Sequence, residues 1–330
     1  MHLIIQIPCY NEANTLPQVI ATLPLEIPGI SQVEVLIIDD GSTDDTVAVA
    51  HQLGVRYIIC HPHNQGLAAA FQTGLETCLR LGADVIVNTD GDNQYPGDQI
   101  PNLIEPILRG QADIVIGDRQ IQTIAHFSLL KKVLQQWGSW VVRLVSGTSV
   151  PDATSGFRAY SREAALRLSV LTRYTYTLET IIQAGKKGLV VAHVPIQVNG
   201  PLRKSRLVKS NWSYIKHSIA TIVRLYALYE PFRTFVYLSL PFLVVGLALL
   251  GRFGFFYLTG MTGVARYVQS VAVGGTALII GFLLIMLGII GDLIATNRML
   301  TEEMLYRIKR QELTKSSTPL IKNGPDSKFN

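Results

Sequence analysis

Along residues 1–199, short apolar runs alternate with stretches of helical periodicity. The runs LIIQIP (3–8), VEVLIID (33–39), VRYII (55–59), DVIVN (84–88) and DIVIG (113–117) are rich in β-branched residues and show little polar alternation, as strands covered on both faces do. Helical segments between them start near Thr15 and near Thr43, cover Leu67–Leu81, and follow Gly97. This succession predicts an α/β domain with a mostly parallel, doubly wound sheet, whose ligands bind at the carboxyl ends of the strands. Three of those ends carry polar, turn-forming groups: PCYNE, DDGSTD and NTDGDN.

The pattern changes after residue 200. In SNWSYIKHSIATIVRLYALYE (210–230), Trp212, Ile215, Ile219, Ile222, Val223 and Tyr226 fall on one helical face, with Lys216, His217 and Arg224 largely off it. Beside a membrane segment, such a stripe predicts a helix lying in the interface. No charge occurs from Thr234 to Gly251 or from Val271 to Ile290, and each window is long enough to cross a bilayer core. The expected organisation is an α/β domain (1–207), an amphipathic juxtamembrane helix (208–231) and a membrane region (232–296). That region holds spans at about 234–254 and 268–292, and a tail with a disordered end follows (297–330). The N-terminal MHLIIQIPCYNE lacks a basic n-region and a cleavage site, so it is expected to be a strand rather than a signal peptide.

Charge adds an orientation. Residues 1–199 hold 13 Lys/Arg against 18 Asp/Glu, whereas residues 200–233 hold seven basic residues against Glu230 alone. That basic block, next to a span, suits anionic lipid headgroups rather than nucleic acid. The tail is also basic, and the connection from Thr259 to Ser270 carries only Arg266, so both ends are expected in the cytoplasm. The three cysteines have no metal or redox spacing and read as reduced thiols. Glycines of the second span, among them Gly274, Gly275, Gly281 and Gly288, allow close helix contacts and a possible homo-oligomer.

Asp90 and Asp92, separated by one glycine after a strand, can aim at one divalent cation from a turn. Mg²⁺ and Mn²⁺ favour such oxygen ligands, and Mg²⁺ commonly combines one or two carboxylates with substrate phosphates. Read alone, Asp-Gly-Asp is also an ordinary turn; Asp39 or Asp40 is equally a helix cap, and Arg203 and Arg206 equally lipid contacts.

Together the strand ends resemble the family-2 glycosyltransferases of the GT-A fold, whose motifs read PxYNE, DDGSxD, N-x-G and DxD. Here they stand as Pro8–Glu12, Asp39–Asp44, Asn64-Gln65-Gly66 and Asp90–Asp92. Asp152–Arg158 (DATSGFR) resembles the D-x-x-SGF-R element of the polyprenyl-phosphate subgroup, which includes dolichyl-phosphate mannose synthase. The resemblance implies that Pro8, Tyr10, Glu12, Asp39 and Asp40 line the nucleotide pocket. It places Asp90 and Asp92, with Gln94 nearby, at a metal-bound diphosphate, and Arg119 at phosphate. Asp152 and Arg158 would lie on the acceptor side, and Arg203 and Arg206 in a basic element closing over the site. Lys131 stands where relatives often carry arginine, supplying charge without a bidentate fork. QQWGSW (135–140) lacks the arginine and spacing of the processive-synthase signature Q-x-x-R-W, and two spans are few for a channel.

The implied reaction is transfer of a hexose from a nucleoside-diphosphate sugar, of UDP-glucose or GDP-mannose type, to a membrane polyprenyl phosphate with inversion. The acceptor phosphate has a second pKa of about 6 and is already nucleophilic at neutral pH. An alcohol acceptor would instead need a base, for which Asp152 is the candidate. A glycolipid or polysaccharide acceptor, and a non-catalytic membrane scaffold, are the competing expectations.

Overall fold

The computed structural model describes residues 1–120, 129–170, 176–199, 223–224, 226–259 and 268–316, with backbone alone at 129–135 and 314–316. Two compact units emerge: residues 1–216 together with 302–330, and residues 217–301.

In the first unit, β1 (His2–Cys9), β2 (Gln32–Asp39), β3 (Tyr57–Cys60), β4 (Val85–Asn88), β5 (Ile114–Asp118), β6 (Arg158–Ser161) and β7 (Val191–Pro195) form one sheet in the order β3-β2-β1-β4-β6-β5-β7. All its pairings are parallel except those of β6, which runs antiparallel between β4 and β5. The apolar run of β1 is buried from Leu3 to Cys9 because β2 and β4 flank it and helices cover both faces. The helices are α1 (Leu16–Thr22), α2 (Thr46–Gln52), α3 (Leu67–Arg80), α4 (Ile100–Leu108), α5 (Leu129–Ser146), α6 (Arg162–Arg167) and α7 (Tyr176–Lys186). Gly74 of α3 lets that helix lie on the sheet: a Cβ there would come within 2.6 Å of Gln6 Oε1 and 2.8 Å of Ile38 Cδ1. One core joins Leu3, Ile5 and Ile7 to Leu16, Val87, Leu103, Ile104, Val115 and Phe157.

Two topological facts locate the site. The strand order reverses between β1 and β4, which opens a crevice beyond their carboxyl ends. Because β6 is antiparallel, Arg158 pairs with Asn88 and with Ile116, so the loop leading into β6 lies at that same edge. The segments after β1, β2, β4 and β5 and the segment before β6 therefore converge.

The second unit contains α8 (Pro231–Leu258) and most of α9 (Val268–Ser316). Their most apolar windows have mean hydropathies of 2.1 and 2.7, with only 11% and 17% of those windows buried. Apolar helices this exposed suit a bilayer better than water. The expected second span ends near residue 292, but the helix continues to Ser316. A Cβ on Gly281 would meet Leu243 at 2.7 Å, on Gly288 Phe235 at 3.1 Å, and on Gly274 Leu249 at 3.1 Å. This seven-residue glycine seam thus packs α9 on α8 within the chain, the small-residue packing of membrane helices. Gly275 faces open space. Most of the interfacial helix expected over 208–231 lies outside the described residues.

Candidate active site

The loops after β1 and β2 are stitched together by short polar side chains. Asn11 N donates to Ser42 Oγ at 2.8 Å, Thr43 N to Asn11 Oδ1 at 2.7 Å, and Glu12 N to Thr46 Oγ1 at 2.8 Å. Asn11, Asn93 and Gln120 all adopt positive φ, of 57°, 58° and 49°. Non-glycine residues rarely take that conformation, and all three lie in the segments that follow β1, β4 and β5.

Glu12 is buried, and the Thr15 hydroxyl joins it to the turn after β4, sharing its single proton between Glu12 Oε2 at 2.9 Å and the Gly91 carbonyl at 2.7 Å. Gly91 packs closely there, since a Cβ would lie 3.1 Å from Cys9 Sγ and 3.2 Å from Glu12 Cγ. Pro8 is buried in β1, whereas Tyr10 is 37% exposed at the mouth of the loop. Asp39, also buried, accepts the Ser42 amide at 3.1 Å.

Asp40, expected in the nucleotide pocket, has its carboxylate braced by protein groups. Its oxygens accept the Gln65 and Gly66 amides at 2.9 and 2.8 Å, and His61 Nδ1 lies 2.8 Å away. The second carboxylate of DDGS thereby fixes the Asn-x-Gly loop, and His61 Nε2 extends the brace to Thr73 at 3.0 Å.

Asp90 and Asp92 stand half-buried after β4. Burial, followed by the negative charge of Asp92, pushes the Asp90 carboxyl up to about 7, against the pull of Arg119. Among the described residues no protein donor is recorded for the Asp90 carboxylate, while Asp92 Oδ1 accepts the Gln94 amide at 3.1 Å. The Gln94 and Asn93 carbonyls accept hydrogen bonds from Asn199 at 2.9 Å each. Two carboxylates on one turn, one of them made basic by burial and by its neighbour's charge, fit a divalent cation such as Mg²⁺ or Mn²⁺. No cluster of three or more His, Cys, Asp or Glu side chains suited to a metal occurs among the described residues, so other oxygens would have to complete the shell.

A buried polar relay supports that turn from below. Gln6 Nε2 donates to Asn88 Oδ1 at 2.9 Å, and Asn88 Nδ2 donates to the Gly156 carbonyl at 2.9 Å and to Tyr176 Oη at 3.0 Å. The Gly156 amide donates to Tyr95 Oη at 3.2 Å. Gly156 in turn touches the Asp90 carboxylate: a Cβ there would lie 3.0 Å from Oδ2. Phe71 stacks on Tyr176 with ring centroids 4.0 Å apart. Sequence reasoning missed Asn88, Tyr95, Tyr176 and Asn199; the polar Asn88 ending an apolar strand was the available signal.

Arg119 and Asp152 form a buried two-point ion pair, with Nε at 2.7 Å from Oδ2 and Nη2 at 3.0 Å from Oδ1. Nη2 also reaches Thr154 Oγ1 at 2.6 Å. Burial alone would raise the Asp152 carboxyl, but the Arg119 charge and hydrogen bonds hold it below the usual range. Arg158, expected at the acceptor phosphate, is engaged by the protein itself. It is fully buried and donates to the carbonyls of Ser155, Thr177 and Ala153 at 2.7, 2.7 and 2.8 Å, and to Thr180 Oγ1 at 2.8 Å. Its guanidinium holds the loop before β6 rather than facing a ligand. The Lys131 side chain, Arg203 and Arg206 lie outside the described residues.

The model described as Glycosyl transferase family 2 matches residues 4–168, half of the chain. This chain belongs to that family.

The glycosyltransferase is 29% identical over 201 residues to a polyprenol monophosphomannose synthase of Mycolicibacterium smegmatis, covering 58% of this chain and 74% of the relative. It is 31% identical over 212 residues to a UDP-N-acetylglucosamine–dolichyl-phosphate N-acetylglucosaminyltransferase of Methanococcus voltae, covering 58% and 83%. Its fold is similar to that of glucosyl-3-phosphoglycerate synthase from Mycobacterium tuberculosis, crystallised with Mn²⁺ and UDP-glucose. The TM-score is 0.54 at 21% identity, over 68% of this chain and 78% of that one.

Proposed function

We propose that this glycosyltransferase moves a hexose from a nucleoside-diphosphate sugar to a membrane polyprenyl phosphate in one displacement that inverts the anomeric carbon. The observation that carries the reading is the Asp90–Asp92 pair, crowded at the strand-reversal crevice with Asp90 raised to about 7. Crowding of this kind suits a divalent cation and a diphosphate. The relatives named for polyprenyl and dolichyl phosphates, and the two apolar helices, support a lipid acceptor.

When bound, Mg²⁺ or Mn²⁺ held by Asp90 and Asp92, with Gln94 beside them, supplies positive charge to the departing diphosphate. Glu12, Asp39 and Tyr10 flank the position of the nucleotide. The acceptor phosphate, largely dianionic near neutral pH, needs no strong base. Asp152, held ionised by Arg119, is a weak base and serves to orient that arginine. Lys131, Arg203 and Arg206 are the candidate cations for the acceptor phosphate. The basic residues flanking the spans support a cytoplasmic catalytic unit.

The test is sugar transfer by detergent-purified protein from a panel of nucleotide sugars to a short polyprenyl phosphate, with Mg²⁺ or Mn²⁺. A lipid-phosphate sugar formed only with metal, and lost in Asp92→Asn, supports the reading. Transfer that is indifferent to the acceptor's phosphate would refute it in favour of another membrane acceptor.

A further inference from the structure

The end of α9 carries a second pattern, unrelated to the apolar one before it. Glu302, Tyr306, Lys309 and Arg310 follow at i, i+4, i+7 and i+8, which puts them on one face of a helix. Glu302, Tyr306 and Lys309 meet residues 76–187 of the first compact unit, to which this segment belongs, and Arg310 braces Tyr306. Glu302 Oε2 pairs with Lys187 Nζ at 2.9 Å, and Lys309 Nζ pairs with Glu76 Oε1 at 3.2 Å. Tyr306 is buried, donates to Glu163 Oε1 at 2.9 Å, and lies under the Arg167 guanidinium at 5.2 Å. Arg310 Nη1 donates to Tyr306 Oη at 3.1 Å.

We propose that Glu302–Arg310 is a built-in docking partner of the catalytic unit, received by a patch of α3, α6 and the residue after α7. The charges are complementary along the patch, with Lys187 facing Glu302 and Glu76 facing Lys309 at opposite ends of one buried tyrosine. An exposed ion pair contributes little by itself, but here an aromatic ring fills the centre and several pairs share it. The receiving residues are tied to the site by their own elements. Glu163 and Arg167 extend from β6, α3 carries Phe71 stacked on Tyr176, and α7 begins at Tyr176. Lys187 also donates to the Arg167 carbonyl at 2.6 Å, joining α6 to α7. A segment that packs on the catalytic unit shares its side of the membrane, so the stretch between must cross an even number of times, as two spans do. The segment Glu302–Arg310 is therefore a structural member of the catalytic unit.

The test is limited trypsin digestion of the full chain in detergent, following cleavage after Arg307, Lys309 and Arg310. Cleavage is expected to be about tenfold faster in Glu302→Lys and in Lys187→Glu than in the native chain. It should return toward the native rate when the two changes are combined. Because Lys187→Glu also removes an internal hydrogen bond, Tyr306→Ala provides a variant confined to the tail, with the same expected increase. A native chain cut as fast as Tyr306→Ala would overturn the dock. So would protection that vanishes on dilution, since that places the segment on a second copy.

Discussion

Arg119 donates two hydrogen bonds to Asp152 in a buried pair, at 2.7 and 3.0 Å, and each group determines what the other can do. A carboxylate held in this way is a poor proton acceptor, and a guanidinium held in this way presents only its remaining edge. Replacing Asp152 by Asn is expected to leave Arg119 charged and unpaired in the interior, at a cost of about 3–5 kcal/mol in stability. Thermal unfolding checks the stability. The rate–pH profile of any remaining activity is expected to keep its acid limb, because Asp152 is not the group that titrates there.

Asp90 leads to a pH prediction. Its carboxyl is raised from the ordinary value to about 7 in the metal-free fold, so the folded chain binds a proton there that the unfolded chain releases earlier. Stability from this group is fully present below the unfolded pKa near 4 and is lost as pH rises through about 7. Melting temperature in EDTA is therefore expected to fall between pH 5 and pH 8, and saturating Mn²⁺ should reverse the fall. Asp92→Asn removes the neighbouring charge but not the burial, so the fall in EDTA should become shallower without vanishing. A melting temperature insensitive to both pH and Mn²⁺ would contradict the cation site.

Gly156 lies against the same carboxylate. A methyl group there would sit 3.0 Å from Asp90 Oδ2 and 3.1 Å from Tyr176 Oη, tighter than ordinary contact. Gly156→Ala is expected to preserve the fold but shift Asp90, weakening Mn²⁺ binding roughly tenfold, equivalent to about 1.4 kcal/mol. Titration calorimetry with Mn²⁺ alone reads this without any assumption about the acceptor.

The sheet was legible from residues 3–118 because β1, β4 and β5 are buried and read as apolar runs, while β2 and β3, only partly covered, still carry continuous β-branched stretches. β6 was not, since RAYS is short and its burial comes from neighbours that are distant in sequence. β7 was missed for the opposite reason: as an edge strand it is only half-covered and shows no continuous apolar stretch. At the site, residue types and spacing pointed to Asp90 and Asp92, since a cation requires carboxylates close together. They could not separate Asp39 from Asp40, because both are buried and only the folded loop shows that the amides of Gln65 and Gly66 engage Asp40. Likewise the sequence shows arginine at 119 and 158, while only the fold shows that one has a carboxylate partner and the other is wrapped in carbonyls.

Arg158 gives the last prediction, and it distinguishes a brace from a ligand contact. Its guanidinium makes four hydrogen bonds, three to backbone carbonyls, and the side chain is fully buried. Lysine has three donors on a single nitrogen and cannot span the same fork, so Arg158→Lys should strand buried acceptors. The expected loss is about 2–4 kcal/mol of stability, with lower Tm and earlier urea unfolding. If Arg158 instead bound the acceptor phosphate, the variant would melt like the native chain and show only a raised KM for the lipid. Melting and acceptor titration of the same preparation therefore separate the two roles.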